Sequence, residues 1–140
     1  MYTEQKPSHI LLVEDTPAQG MRFKSYLEHI GCYVSWATTG HDGLQLAQAE
    51  EFDLIILDIE LPDINGFEIC RQLKANDAVS HIPVIMLTTR DKAVDVLTGL
   101  ENGALDYIPK DPFTEAVLFE TLKQMGILSI NGSQADLTVV

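Results

Sequence analysis

Five short apolar runs punctuate the chain, at residues 9–13, 32–36, 54–57, 84–87 and 104–108. They are rich in Ile, Val and Leu and do not alternate with polar residues, as expected of strands buried on both faces. Between them, apolar residues recur at helical spacing. Residues 17–30 place Met21, Tyr26, Leu27 and Ile30 on one side, and 40–49 carry Leu44, Leu46 and Ala47. Residues 66–75 carry Phe67, Ile69, Cys70 and Leu73, 91–100 carry Val94, Val96, Leu97 and Leu100, and 113–125 complete the series. Pro17, Gly31, Gly40, Pro62, Pro83 and Gly103 stand at the joints, where helices start and stop. This alternation predicts an α/β fold, a doubly wound five-stranded parallel sheet with five helices on its two faces.

Ligands of such sheets bind beyond the carboxyl ends of the strands, so the residues that follow each run carry the functional information. The first run leads into Glu14-Asp15, the third into Asp58, the fourth into Thr88 and the fifth toward Lys110. Three carboxylates, a hydroxyl and an ammonium are therefore expected at one edge. Clustered carboxylates suit Mg²⁺, a hard cation that takes oxygen ligands and keeps several waters. A carboxylate can also accept a phosphoryl group, and a lysine and a hydroxyl can hold its oxygens. Taken singly, each residue has a plainer use as a helix-terminal acid, a strand-end filler or a surface charge. The joint placement on four strands is what points to chemistry.

Composition narrows the partners. The 140 residues suit one domain, and 46% hydrophobic residues are enough for a core. Acidic residues outnumber basic ones 21 to 9, for a formal charge of −12. That argues against nucleic acid, whose phosphates need a basic surface, and against anionic membranes. No apolar run approaches a membrane span. Residues 1–8 lack the apolar core of a secretory signal, so a cytoplasmic location is expected. Cys32 and Cys70 form no CxxC site and read as buried thiols. His9, His29, His41 and His81 show no metal-binding spacing and read as solvent or edge histidines.

Four segments together resemble the response-regulator receiver domains of two-component signalling. They are Ile10-Leu11-Leu12-Val13-Glu14-Asp15, Leu57-Asp58-Ile59-Glu60-Leu61-Pro62-Asp63-Ile64-Asn65-Gly66, Pro83-Val84-Ile85-Met86-Leu87-Thr88 and Gly103-Ala104-Leu105-Asp106-Tyr107-Ile108-Pro109-Lys110. The likeness is to the single-domain, chemotaxis-regulator-like kind. It implies a flavodoxin-like sheet of order 2-1-3-4-5, a tail at 1–7, a receiver domain at 8–126 and a C-terminal tail or truncated linker at 127–140. It implies a signalling switch that catalyses only its own phosphorylation and dephosphorylation. By resemblance, Asp58 is the phosphoacceptor and Asp15 a direct Mg²⁺ ligand. Glu14 holds the metal through water, and the backbone carbonyl of Glu60 completes the protein ligands. Lys110 binds a phosphoryl oxygen, Thr88 moves to bond another, and Tyr107 turns inward in response. The implied partners are a histidine kinase or phosphotransfer protein and a downstream protein.

Some features depart from that pattern. The family places Pro directly after the lysine with a cis bond between them, whereas here Asp111 intervenes before Pro112. A cis bond costs about 2.5–4 kcal/mol away from proline. The expectation is therefore an altered loop with Lys110 still aimed at Asp58. Glu60 and Arg90 flank the site with opposite charges. They either pair across its mouth and slow loss of the phosphoryl group, or stay solvated with little effect. In the last helix, Val117, Leu118, Phe119, Leu122 and Met125 cover more than one stripe, and Ile127, Leu128 and Ile130 follow. Either part of this set is exposed, for a homodimer or partner beside the fourth helix and fifth strand, or the tail folds back over it.

Three rival readings start from the same residues. A haloacid-dehalogenase-type phosphatase also uses an aspartate and Mg²⁺, but wants Asp where Glu60 stands, and a cap domain. A flavodoxin-like cofactor binder needs a phosphate-cradling loop where Glu14 and Asp15 would repel one. An unphosphorylated interaction module has no need of the full Asp, Thr and Lys set. A calcium loop at 61–66 lacks the required ligand spacing.

Overall fold

The computed structural model describes residues 6–89 and 93–128, with backbone alone for 93–95. Its elements are β1 (His9–Val13), α1 (Pro17–His29), β2 (Tyr33–Ala37), α2 (Gly40–Ala49), β3 (Leu54–Leu57), α3 (Gly66–Ala75), β4 (Val84–Thr88), α4 (Ala93–Glu101), β5 (Asp106–Pro109) and α5 (Thr114–Gln124). All strand pairs are parallel, in the order β2-β1-β3-β4-β5. This is the flavodoxin-like order.

Strand alternation divides the core. Leu11, Val13, Ile55, Leu57, Val84 and Met86 face one side, where Ala47 of α2 and Ile69, Cys70 and Leu73 of α3 cover them. Ile10, Leu12, Leu54, Ile56, Ile85 and Leu87 face the other, under Phe23 and Leu27 of α1 and Leu118 and Leu122 of α5. Burial on both faces explains the unbroken apolar runs. Cys32 and Cys70 are free, buried thiols.

Several boundaries differ from those the pattern predicts. Cys32 does not open β2, because its N–H closes α1 on the carbonyl of Leu27 and the ladder begins with Tyr33 opposite His9. Ala104 likewise belongs to the turn after α4, bonded to Gly99, and Gly103 takes φ 98° there. Phe113 is the exposed N-cap of α5 rather than its first turn. Met21 is exposed, and the buried positions of α1 are Gly20, Phe23 and Leu27. His9 is more than an edge residue. Its ring packs against Phe52 at a tilt of 44°, with centroids 4.4 Å apart, and bonds Ser35 Oγ at 2.9 Å.

The apolar residues of α5 and those just after it are partly covered and partly exposed. Phe119, Met125, Ile127 and Leu128 pack on the α1/α5 core, and Ser8 Oγ donates to the Ile127 carbonyl at 2.7 Å. Val117 nevertheless stays exposed, as do Leu97 and Leu100 of α4 and Leu105 just before β5. Ile130 lies outside the described residues.

Candidate functional site at the carboxyl edge of the sheet

Register brings the acids together. Val13 pairs with Leu57, so the next residues, Glu14 and Asp58, leave the sheet side by side. Glu14 N–H donates to Ala37 O and Asp58 N–H to Val13 O, both at 3.0 Å. At the other end, Thr88 is opposite Pro109, and the Lys110 N–H donates to Thr88 O at 2.8 Å. The backbone under Glu14, Asp58 and Lys110 is thus tied into the ladder.

The side chains converge on the Lys110 ammonium. It donates to Asp58 Oδ2 at 3.0 Å, to Gln19 Oε1 at 2.6 Å and to Glu14 Oε1. These use all three ammonium protons. Side-chain exposure is 4% for Lys110, 1% for Glu14 and 8% for Asp58, so water screens the charges little. The second Glu14 oxygen accepts from the Thr16 N–H at 3.0 Å. Lys110 is held at Asp58 with no cis peptide bond among the described residues.

One ammonium does not balance this cluster. Glu14, Asp15 and Asp58 each offer a carboxylate oxygen, and the three lie within 4.8 Å of one another. Burial pushes the Asp58 carboxyl above its ordinary range. Lys110 opposes that shift, and the Glu14 charge adds to it. A concentrated, partly compensated set of hard oxygen donors fits a divalent cation such as Mg²⁺. For Asp58, desolvation outweighs the pairing with Lys110.

The other residues marked by the sequence fall around this centre. Thr88 is fully buried at the end of β4. Tyr107 is half-buried opposite Met86 on β5, its ring on the α3/α4 side of the core next to Gly99. Glu60 is exposed, and its N–H approaches Asp58 Oδ1 at 3.4 Å. Arg90 lies outside the described residues, so its pairing with Glu60 is outside them too.

Two further residues shape the site without having been marked by the sequence reading. Gln19 is four residues before Phe23 and eight before Leu27, so it continues the buried stripe of α1 as a polar residue. That break in the apolar pattern was its signal. Trp36 donates its indole N–H to the Glu14 carbonyl at 2.8 Å. A Cβ on Gly20 would lie 1.9 Å from the Trp36 ring, so glycine there lets α1 and the indole close over the Glu14 loop. No sequence pattern in this chain marks that contact.

The model of the response regulator receiver domain matches residues 10–123. The chain belongs to the response regulator receiver domain family. It is similar to protein PilH of Pseudomonas aeruginosa, 39% identical over 115 residues that cover 82% of this chain and 94% of that one. It is also similar to the transcriptional regulatory protein AfsQ1 of Streptomyces coelicolor, 43% identical over 101 residues. Those residues are 72% of this chain but 44% of that regulator, so the receiver spans less than half of AfsQ1. Among solved structures, the receiver domain of sensor histidine kinase PA1611 from Pseudomonas aeruginosa superposes with a TM-score of 0.77 at 30% identity. That match covers 84% of this chain and 96% of that one, which holds a magnesium ion in its active-site cleft. The receiver is a module of two-component signalling. Among the described residues, no helix is long and apolar enough to cross a membrane.

Proposed function

We propose that this receiver accepts a phosphoryl group on Asp58 from a histidine kinase or phosphotransfer protein, in a reaction that needs Mg²⁺. The observation that carries the reading is the Lys110 ammonium seated between Asp58 and Glu14 in a buried cluster of acids. An Asp58 oxygen attacks the phosphorus of a phosphohistidine. The O–P bond forms as the N–P bond breaks, and the electron pair returns to the imidazole nitrogen, which takes up a proton. Lys110 already points at Asp58 and meets the charge on the incoming phosphoryl oxygens without reorganising. Asp15 and Asp58 would hold Mg²⁺ directly, Glu14 through water, and Glu60 through its backbone carbonyl. When bound, Mg²⁺ neutralises the acids and the transferring oxygens.

Thr88 ends β4, the strand that pairs Met86 with Tyr107. In this reading Thr88 bonds the phosphoryl group and Tyr107 follows it inward, which biases a two-state surface. That surface is the α4–β5–α5 face, where Leu97, Leu105 and Val117 are exposed. It would serve a downstream protein or a second copy of the receiver. The charge of −12 disfavours nucleic acid and anionic membranes as direct partners and fits a cytoplasmic setting. The receiver unit is taken as 8–126, with Ile127 and Leu128 packed onto it.

The test is incubation with acetyl phosphate and Mg²⁺, followed by intact mass. A gain of one phosphoryl group in the wild type, absent in Asp58→Asn and absent with chelator, is expected. An equal gain in Asp58→Asn would move the acceptor elsewhere.

A further inference from the structure

We propose that Gln19 and Arg22 are positioning residues for Lys110, acting from one face of α1 to hold the ammonium and the loop that carries it. The inference rests on the reading of Asp58 as phosphoacceptor.

Lysine carries a flexible four-carbon stem whose rotamers must be restrained before the ammonium is fixed in place. Its use against a phosphoryl group therefore depends on what fixes its two ends. At the ammonium end, two of the three acceptors, Glu14 and Asp58, belong to the reacting cluster. Their strength as hydrogen-bond acceptors changes when a cation binds or when Asp58 becomes an acyl phosphate. Gln19 is a neutral amide, and its acceptor strength stays constant through those changes. Its 2.6 Å bond is the one fixed tether on the ammonium.

At the backbone end, the ladder releases the chain after Lys110. The next residues, Asp111, Pro112 and Phe113, are exposed. They are shaped locally by Asp111 N–H to Thr114 Oγ1 and Phe113 N–H to Asp111 Oδ1, both at 2.7 Å. The buried Thr114 Oγ1 also donates to the Pro109 carbonyl at 2.9 Å, which ties the turn to the end of β5. Arg22 ties it to α1. One Nη2 proton goes to the Asp111 carbonyl at 2.9 Å, the other to Glu115 Oε1 at 2.5 Å, and Nε–H goes to Glu115 Oε2 at 2.7 Å. A planar guanidinium can serve a carboxylate and a carbonyl together, and an ammonium cannot reproduce that fork. Gln19 and Arg22 are three residues apart on the helix and share a face. A single element thus grips Lys110 and its loop, and Phe23 under the Arg22 guanidinium, 4.8 Å from ring centre to Cζ, seats the grip on the core.

The measurement is the rate of phosphorylation by acetyl phosphate, read by intact mass, together with Mg²⁺ affinity read by Trp36 fluorescence. Gln19→Met keeps the length of the side chain and removes the acceptor. It is expected to slow phosphorylation about tenfold, the worth of one hydrogen bond to a charged group, at unchanged Mg²⁺ affinity. Arg22→Lys keeps the charge without the fork and is expected to slow it several-fold. In a Lys110→Met background neither change should slow the residual rate further, since both act through Lys110. Wild-type rates in Gln19→Met and Arg22→Lys would overturn the proposal. So would effects that multiply undiminished in the Lys110→Met background, or a parallel loss of Mg²⁺ affinity. A wild type that takes up no phosphoryl group would instead overturn the Asp58 reading itself, and this inference with it.

Discussion

Gly66, the first residue of α3, lies against the backbone of Asp58 so closely that a Cβ there would fall 2.2 Å from the Asp58 carbonyl oxygen. The Gly66 N–H donates to the neighbouring Ile59 carbonyl at 2.8 Å, and Asn65 caps the helix through its own side chain at 2.7 Å to Phe67 N–H. The helix start and the end of β3 are one rigid joint, and the candidate acceptor sits on it.

Gly66→Ala should therefore damage both stability and the site. The backbone atoms it meets cannot swing aside as a side-chain tip could. A cost of about 1–3 kcal/mol is expected from overpacking, read as a lower midpoint in urea. Phosphorylation by acetyl phosphate should fall as well, because Asp58 is displaced from Lys110. A variant of unchanged stability would show that α3 can move away without disturbing β3.

The same joint illustrates what the chain alone could disclose. Unbroken runs such as Leu54–Leu57 report burial on both faces directly, so the parallel sheet was legible. So was the acidic edge, because Glu14 and Asp58 each follow a strand at once. Ends of elements were less legible. Cys32 and Ala104 are as apolar as strand residues, yet their N–H groups close the preceding helices. The contacts of α1 with Lys110 and Asp111 are less legible in the sequence, because they join positions 91 and 89 residues apart through side-chain geometry. Spacing predicts Met21 inward, whereas Phe23 occupies the buried stripe.

Trp36 offers a reporter of that acidic edge. It is the chain's single tryptophan, and its indole N–H is bonded to the Glu14 carbonyl. Adding Mg²⁺ should change its emission along a saturable curve that is weakened in Asp15→Asn. A flat response to Mg²⁺ in the wild type would place the cation away from Glu14.

Removing the ammonium tests the electrostatic balance. Lys110→Met leaves Glu14 and Asp58 buried without their shared partner. Loss of one member of a buried ion pair costs about 3–5 kcal/mol. The variant should unfold at lower urea than the wild type in the presence of chelator, and Mg²⁺ should recover part of the loss by binding the acids. Equal stability of the two proteins in chelator would mean that the acids are compensated by something other than Lys110.

Asp63 provides a pH test away from the acidic cluster. Its carboxylate accepts the Gly40 N–H at 2.8 Å, the His41 N–H at 2.9 Å and the His41 ring nitrogen at 2.5 Å, tying the β3–α3 loop to the start of α2. Burial pushes this carboxyl up, but the bonds from His41 and Gly40 outweigh it and hold it down at about 2, against an ordinary 3.8. A carboxyl lowered on folding contributes stability that is complete above its unfolded value and disappears as pH falls through its folded one. The contribution should thus be whole at pH 5 and lost between about 4 and 2. Asp63→Asn cannot titrate and gives up one oxygen acceptor at the helix start. It should be less stable than the wild type at pH 5, and the gap should close on acidification across that window. Urea unfolding of both proteins at pH 5, 4, 3 and 2 would show this, and a gap that stayed constant would remove Asp63 from the acid response of the fold.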